Sequence, residues 1–357
     1  MCRNARMVPF ASKIMACGFI RSPGNINRNI LHLVTMKSRE SAAERLVWNG
    51  GAAHRWGVIL AGGDGKRLLP LTRKITGDDR PKQFCAITGG GTLLDQTRQR
   101  VSRMISVGQT LIVLTRTHER YYSTQLGDVP RSRLVIQPHN HGTAPAIAYS
   151  LMRLCGRDPD GVVAFFPSDH HFENDEAFRA DIELAFTHAE ADSERVVLLG
   201  IAPEAPEESY GWIEPGAPLG HPIDSRVFEV RRFWEKPSRK DAERLMRRGC
   251  LWNSFVMVGR ISVFLGLMRR TLPSLLASLQ AMLAVALPGE EDEALLNLYA
   301  SIPATNFSGQ VLSVRSSALA VLRADSLGWS DLGEPRRVLS VIESKNSLLE
   351  QPLPALA

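Results

Sequence analysis

A chain of 357 residues, 44% hydrophobic and 22% charged, has the balance of a globular protein with a large core, and it is long for a single domain. Its net charge of +6 does not mark a nucleic-acid-binding face: Arg3, Arg6, Lys13, Arg21, Arg28 and Lys37 stand without an acid in the first 38 residues, and the remainder is balanced. No apolar run reaches the roughly 18 to 20 residues that cross a bilayer, and the cysteines at 2, 17, 85, 155 and 250 include no CxxC pair, which suggests neither a disulfide framework nor a cysteine zinc site.

The basic start is similar in composition to an organelle transit sequence, but Met7, Val8, Phe10, Ile14 and Met15 make only a weak amphipathic pattern. Residues 1–53 are expected to be an irregular basic leader, or in part translated sequence upstream of a start at Met36. No secretory signal stands out, so a reducing, cytoplasmic setting is expected, with no membrane or nucleic-acid partner.

From residue 56, short apolar runs alternate with amphipathic stretches. Trp56 to Ala61, Thr110 to Thr115, Leu134 to Gln137, Val162 to Phe166 and Val196 to Gly200 are continuous and rich in Val, Ile and Leu, which predicts buried strands. Helical spacing falls at Leu93 to Met104, His118 to Gln125, Ala144 to Leu154 and Glu176 to Ala191. This alternation predicts an α/β fold, a Rossmann-like, mostly parallel sheet with helices on both faces. Residues 262 to 300 read as mostly helical, and Leu265, Met268, Leu272, Leu275, Leu276, Leu279, Met282 and Leu283 make an apolar stripe that predicts core or, failing that, a homodimer surface. Residues 54 to 345 are expected to form the domain and 346 to 357 a tail.

Ligands of such sheets bind beyond the carboxyl ends of the strands. Two of those ends are loaded with polar residues: Gly62-Gly63-Asp64-Gly65-Lys66-Arg67 after the first expected strand, and Pro167-Ser168-Asp169-His170 after the fourth. The glycine loop is not a Walker A loop, because Leu60 stands five before Gly65 and Arg67 follows Lys66; it is not a dinucleotide fingerprint, because Leu68 replaces the third glycine. What remains is a turn whose N–H groups can approach a polyphosphate, with Arg67 placed to grip it and Lys66 alongside. A glycine turn with solvated cations fits the loop as well, until Arg80-Pro81-Lys82-Gln83-Phe84 brings two further cations near in sequence. Taken singly, Asp169 reads as a cap for a helix around Phe172 to Phe178, and Asp331 as a cap for the helix after it. His139, His141, His170 and His171 could be drawn as a zinc cluster, although loop and core histidines are commoner.

LAGGDGKRLLPLT (60 to 72) followed by RPKQF (80 to 84) resembles the signature region of sugar-1-phosphate nucleotidylyltransferases, and the PKQF form is similar to mannose-1-phosphate guanylyltransferases. The likeness continues in the family's order through QPHNHGTAPAIA (137 to 148), FFPSDHHF (165 to 172), YGWIEPG (210 to 216), FWEKPS (233 to 238), LWNSFVMVG (251 to 259) and LGWSDLGE (327 to 334). The resemblance implies transfer of a nucleotidyl group from GTP to mannose 1-phosphate with Mg²⁺; another base or hexose, or a catalytically silent nucleotide-sugar sensor, are the alternatives. It implies that Arg67 binds the β and γ phosphates, with Gly62, Gly63, Gly65 and Lys66 around it, and that Lys82 stabilises the α-phosphate. Gln137, Gly142 and Thr143 would border the base. Gly211, Glu214, Glu235, Lys236, Asn253 and Ser254 would bind the sugar phosphate, and Asp169 and Asp331 the metal, with Asp169 also counted among the catalytic groups.

The chain departs from the family pattern at three places. Phe255 follows Asn253-Ser254 where the pattern often has glycine, Ser313 stands where it commonly has glutamate, and His141 where it frequently has arginine. With 26 residues after Asp331, neither the isomerase cupin nor the left-handed β-helix of longer family members is expected in this sequence.

Overall fold

The structure, a computed structural model, describes residues 54–219, 226–285 and 290–349. The expected leader over 1–53 and tail residues 350–357 lie outside them. The five apolar runs form strands β1 (Arg55–Leu60), β2 (Thr110–Thr115), β3 (Leu134–Gln137), β4 (Val162–Pro167) and β5 (Val196–Ile201). They are buried nearly end to end because helices cover both faces of the sheet.

In chain order the first helices are α1 (Leu69–Thr76), α2 (Leu93–Ser102), α3 (Glu119–Tyr122), α4 (Thr143–Arg157) and α5 (Asp175–Ala191). The strand residues Val58, Val113, Val135 and Phe165 pack with α4 on one face, while Ile59, Leu114 and Phe166 pack with α2 and α5 on the other. This division follows the two-residue period of a strand.

Four further strands enlarge the sheet: β6 (Gly211–Pro218), β7 (Val227–Glu235), β8 (Leu251–Arg260) and β9 (Leu319–Ala324). The order is β3-β2-β1-β4-β8-β5-β9-β7-β6. The block β3, β2, β1, β4 is parallel and β5 is parallel to β9, but β8 runs antiparallel between β4 and β5, and β7 antiparallel beside β9 and β6. The sheet is thus mostly parallel in strand direction with two reversals.

Strand β8 changes neighbours along its length. Its start pairs with β6, Trp212 opposite Trp252, and its end with β4, Val162 opposite Arg260. Between them Phe255 adopts φ 62°, and the register against β5 slips between Leu198 and Gly200. The Ser254 hydroxyl donates to Leu199 O at 2.7 Å and accepts from Val256 N at 3.2 Å, while Asn253 Oδ1 accepts from Phe255 N at 3.1 Å. These side chains satisfy backbone groups that the irregular ladder leaves unpaired. The left-handed backbone at 255 is also the physical reason a glycine suits that position.

The remaining helices are α6 (Arg239–Arg247), α7 (Ile261–Thr271), α8 (Pro273–Val285), α9 (Glu291–Ser301) and α10 (Pro335–Leu349). The apolar stripe of α7 and α8 is core: Leu265, Met268, Leu275, Leu276, Leu279 and Met282 are buried, with Leu272 and Leu283 packed against them. Helix α10 runs past residue 345, the expected end of the domain. Neither aspartate acts as a helix cap. Asn174 caps α5 through Ala177 N at 3.0 Å, and Asp331 lies outside α10, which starts at Pro335.

Candidate active site

The glycine loop leaves the carboxyl end of β1 under close restraint. A Cβ on Gly62 would lie 2.8 Å from Gln137 Nε2 and 3.0 Å from Thr115 Oγ1, so a side chain there would have to displace both. Gln83, from the PKQF segment, donates through Nε2 to Ala61 O at 3.0 Å and to Gly63 O at 2.7 Å, and so fastens the second motif to the first. Arg67 projects to solvent, and its side chain has no hydrogen bond or ion pair among the described residues. Lys66 is exposed, with Asp64 Oδ2 3.8 Å from its Nζ.

Lys82 behaves differently. Only 7% exposed, it donates through Nζ to the carbonyls of Asp331 and of Leu332, the latter at 3.1 Å, and stands 3.3 Å from Asp169 Oδ2. A two-way backbone bridge between His171 and Ser330, at 2.8 and 3.0 Å, holds the segments that carry the two aspartates side by side. Asp331 Oδ1 accepts from Tyr210 Oη at 2.8 Å, Arg337 Nη1 at 2.6 Å and Gly333 N at 2.9 Å. Burial pushes the Asp331 carboxyl up, but His170 when its ring is charged, together with Lys82, Arg337 and the Gly333 N–H, outweighs it and holds the group below the usual carboxylate range. Burial likewise pushes His170 down, which favours the neutral ring. The Trp329 indole can only donate, so the 3.2 Å contact to His170 Nδ1 makes that nitrogen the acceptor and leaves the proton on Nε2, 3.8 Å from Asp169 Oδ1.

Among the residues expected to border the base, Gln137 is buried with Oε1 accepting from Tyr299 Oη at 2.9 Å. Gly142 has φ 84° and its missing Cβ would lie 2.4 Å from Thr305 O. Thr143 Oγ1 accepts from Phe307 N at 2.9 Å, Thr305 N donates to His141 O at 2.8 Å, and Ala144 N donates to Thr305 O at 3.0 Å. The His141 Nδ1 is 3.1 Å from Ile302 O. The whole 137–144 motif is therefore strapped down by residues 299–307.

Among the residues expected to bind the sugar phosphate, Gly211 lies opposite Glu235 in the ladder, and a Cβ on it would meet Phe233 Cζ at 2.7 Å and Asn253 Cβ at 3.3 Å. Gly211, Glu235 and Asn253 thus share a face. Glu214 does not join them. Strand alternation turns it to the face of Trp212, where Arg248 at the end of α6 and Arg231, at 3.7 Å, hold its carboxylate. Ser254 is also set apart, fully buried in the β8 irregularity. Lys236 is exposed with φ 47°, its N–H donating to Tyr210 O at 3.2 Å. Burial raises the Glu235 carboxyl, opposed by Lys236 and by Asn306 Nδ2, which donates to Oε1 at 3.3 Å. Among the described residues the non-glycine positions with positive φ are Lys236, Phe255, Ser326 and Leu332. Three of them adjoin this site, where strain held by surrounding structure commonly collects.

Among the described residues no group of three or more His, Cys, Asp or Glu side chains could hold a metal, which removes the zinc reading. The protein offers Asp169 and Asp331 instead. That donor set fits Mg²⁺, which takes one or two carboxylates and completes its shell with phosphate oxygens and water.

The nucleotidyl transferase family profile matches residues 56–347. The chain belongs to the nucleotidyl transferase family. Among characterised relatives it is 32% identical to the alginate biosynthesis protein AlgA of Pseudomonas syringae pv. tomato, over 77% of this chain and 56% of that one. It is 29% identical to a mannose-1-phosphate guanylyltransferase of Klebsiella pneumoniae, over 77% of this chain and 57% of the relative. The chain therefore spans little more than half the length of these relatives. A Thermus thermophilus crystal structure described as a mannose-1-phosphate geranyltransferase superposes with a TM-score of 0.67 at 30% identity, covering 80% of this chain and 79% of that one. A thymidylyltransferase structure from Bacillus anthracis, described as that of a putative glucose-1-phosphate enzyme, shares the fold at a TM-score of 0.51 and 16% identity, with 84% and 97% of the chains covered.

Several residues escaped the sequence reading. Gln83, Tyr210 and Trp329 lie inside quoted motifs, which was a signal for each. Arg337 and Asn306 lie outside them, and only the fold brings them to the site.

Proposed function

We propose that the protein transfers the guanylyl group of GTP to mannose 1-phosphate, forming GDP-mannose and pyrophosphate. An oxygen of the sugar phosphate attacks the α-phosphorus in line, the bond from that phosphorus to the α,β-bridging oxygen breaks, and pyrophosphate leaves with the electron pair. The attacking group is already an anion, so the work is positioning and charge neutralisation rather than proton removal. The observation that carries this reading is the buried Lys82 held against Asp169 and the Asp331 carbonyl, with the exposed cations Lys66 and Arg67 after β1, and with the exposed Lys236 after β7 bonded through its N–H to Tyr210, the residue that also holds Asp331.

Arg67 is free to take the β and γ phosphates, and the bare Gly62–Gly65 backbone lets them approach. Lys82, anchored by two carbonyls, presents a fixed charge toward the α-phosphate, and Lys236 takes the sugar phosphate. Asp169 and Asp331 would hold Mg²⁺, which when bound neutralises phosphate charge as a Lewis acid. Gly211, Glu235 and Asn253 face the hexose. The names of the relatives support guanine and mannose as the partners. The test is pyrophosphate release from a matrix of four nucleoside triphosphates and several hexose 1-phosphates, with and without Mg²⁺. GTP with mannose 1-phosphate should be fastest; release with neither hexose phosphate nor Mg²⁺ required would refute the proposal.

A further inference from the structure

The segment that fastens the base-side motif continues directly into the sugar side. From Tyr299 to Phe307 it bonds Gln137, His141, Thr143 and Ala144. The next polar contact it makes is with Glu235, the carboxylate at the end of β7. Asn306 is bound at both ends of its amide: Oδ1 accepts from Ser308 N at 2.8 Å and Gly309 N at 3.4 Å, while Nδ2 donates to Glu235 Oε1 at 3.3 Å. These bonds also settle which end of the amide is which, since backbone N–H groups can only donate. The turn they open is a five-residue π-helix, Ser308–Leu312, a wide turn often found at functional sites. Gly309 sits over the same carboxylate, with its Cβ position 3.8 Å from Glu235 Cγ.

Asn306 is exposed, so burial in the core does not account for it. Its geometry accounts for the orientation of Glu235. With Oε1 held by the amide, the carboxylate has fewer orientations open to it, and Oε2 can accept a hydroxyl of a bound hexose at a smaller cost in rotamer freedom. We propose that Asn306 is a positioning residue of the hexose subsite, fixing Glu235 and tying it to the strap that grips the nucleotide motif. The inference rests on the proposed function, because it takes Glu235 to contact the sugar. Affinity for the sugar phosphate then depends on Asn306, and affinity for the nucleotide does not.

Asn306→Asp separates this role from a structural one. Aspartate is nearly isosteric and still accepts from Ser308 N and Gly309 N, so the turn keeps its cap; but it puts a carboxylate where the donor to Glu235 stood. Calorimetric titration of the full chain with mannose 1-phosphate and, separately, with GTP is the readout, beside thermal unfolding and steady-state kinetics. Asn306→Asp should weaken sugar-phosphate binding by about tenfold or more, the scale of a lost hydrogen bond to a charged group, with GTP binding within about twofold and the melting temperature unchanged. Asn306→Ala should show a smaller loss in the same direction, as a raised KM for the sugar phosphate with kcat little altered. Unchanged sugar-phosphate binding in both variants, with the wild type binding normally, would overturn the inference alone. A wild type that binds no hexose 1-phosphate would overturn the proposed function and this inference with it.

Discussion

Gly142 leaves no space for a side chain. Its φ of 84° disfavours every L-residue, and a Cβ there would meet the Thr305 carbonyl at 2.4 Å, an atom fixed by its bond to Ala144 N. Gly142→Ala should cost about 2 kcal/mol or more from backbone strain and displacement of the strap, read as a lower melting temperature and a higher KM for GTP. Asp169 is the opposite kind of residue, partly exposed and facing Lys82 across 3.3 Å. Asp169→Asn removes the charge and keeps the shape. Turnover should fall by about a hundredfold, the scale of losing one transition-state contact, with circular dichroism unchanged; near-normal turnover would take Asp169 out of the reacting centre.

At the level of elements, what the sequence revealed and what it hid have a common cause. Strands β1 to β5 were legible because each is an unbroken apolar run buried on both faces. Strands β6 and β7 carry Pro215, Pro218, Arg231 and Arg232, and β8 holds Asn253-Ser254 in its middle, so neither alternation nor a run marks them. Lys66, Arg67 and Lys82 were legible as candidate phosphate cations because they fall in two short motifs close together in sequence. The ties on Gln137, Thr143 and Glu214 were not, because Tyr299, Phe307 and Arg248 reach them only through the fold. One such long-range tie is testable by pH. Arg55 at the start of β1 bonds Glu190 of α5 at 2.6 Å and holds its carboxyl below the usual range. A depressed folded-state pKa adds stability that is complete above the ordinary carboxylate value and vanishes as pH falls through the folded one. Glu190→Gln should therefore melt below the wild type at pH 7, and the gap should close below about pH 4; a gap that persists in acid would mean the pair contributes through packing instead.

For the molecule as a whole, the site gathers residues from almost the full described length, from Gly62 to Arg337, onto one end of a continuous sheet. Occupancy should then register as global stability, because a ligand that binds only the folded chain shifts unfolding by mass action. GTP at about a hundred times its Kd adds roughly 2.7 kcal/mol, or about 4 to 5 °C in melting temperature for a domain of this size. The two kinds of phosphate contact can be separated in that measurement. On the proposed roles, Arg67→Gln should lower the shift with and without Mg²⁺, since the guanidinium would act on the phosphates directly. Asp169→Asn should then abolish only the increment that Mg²⁺ adds, since its carboxylate would act through the ion. A full Mg²⁺ increment in Asp169→Asn would detach the ion from this carboxylate, whereas no GTP shift in the wild type would detach the nucleotide from the glycine loop.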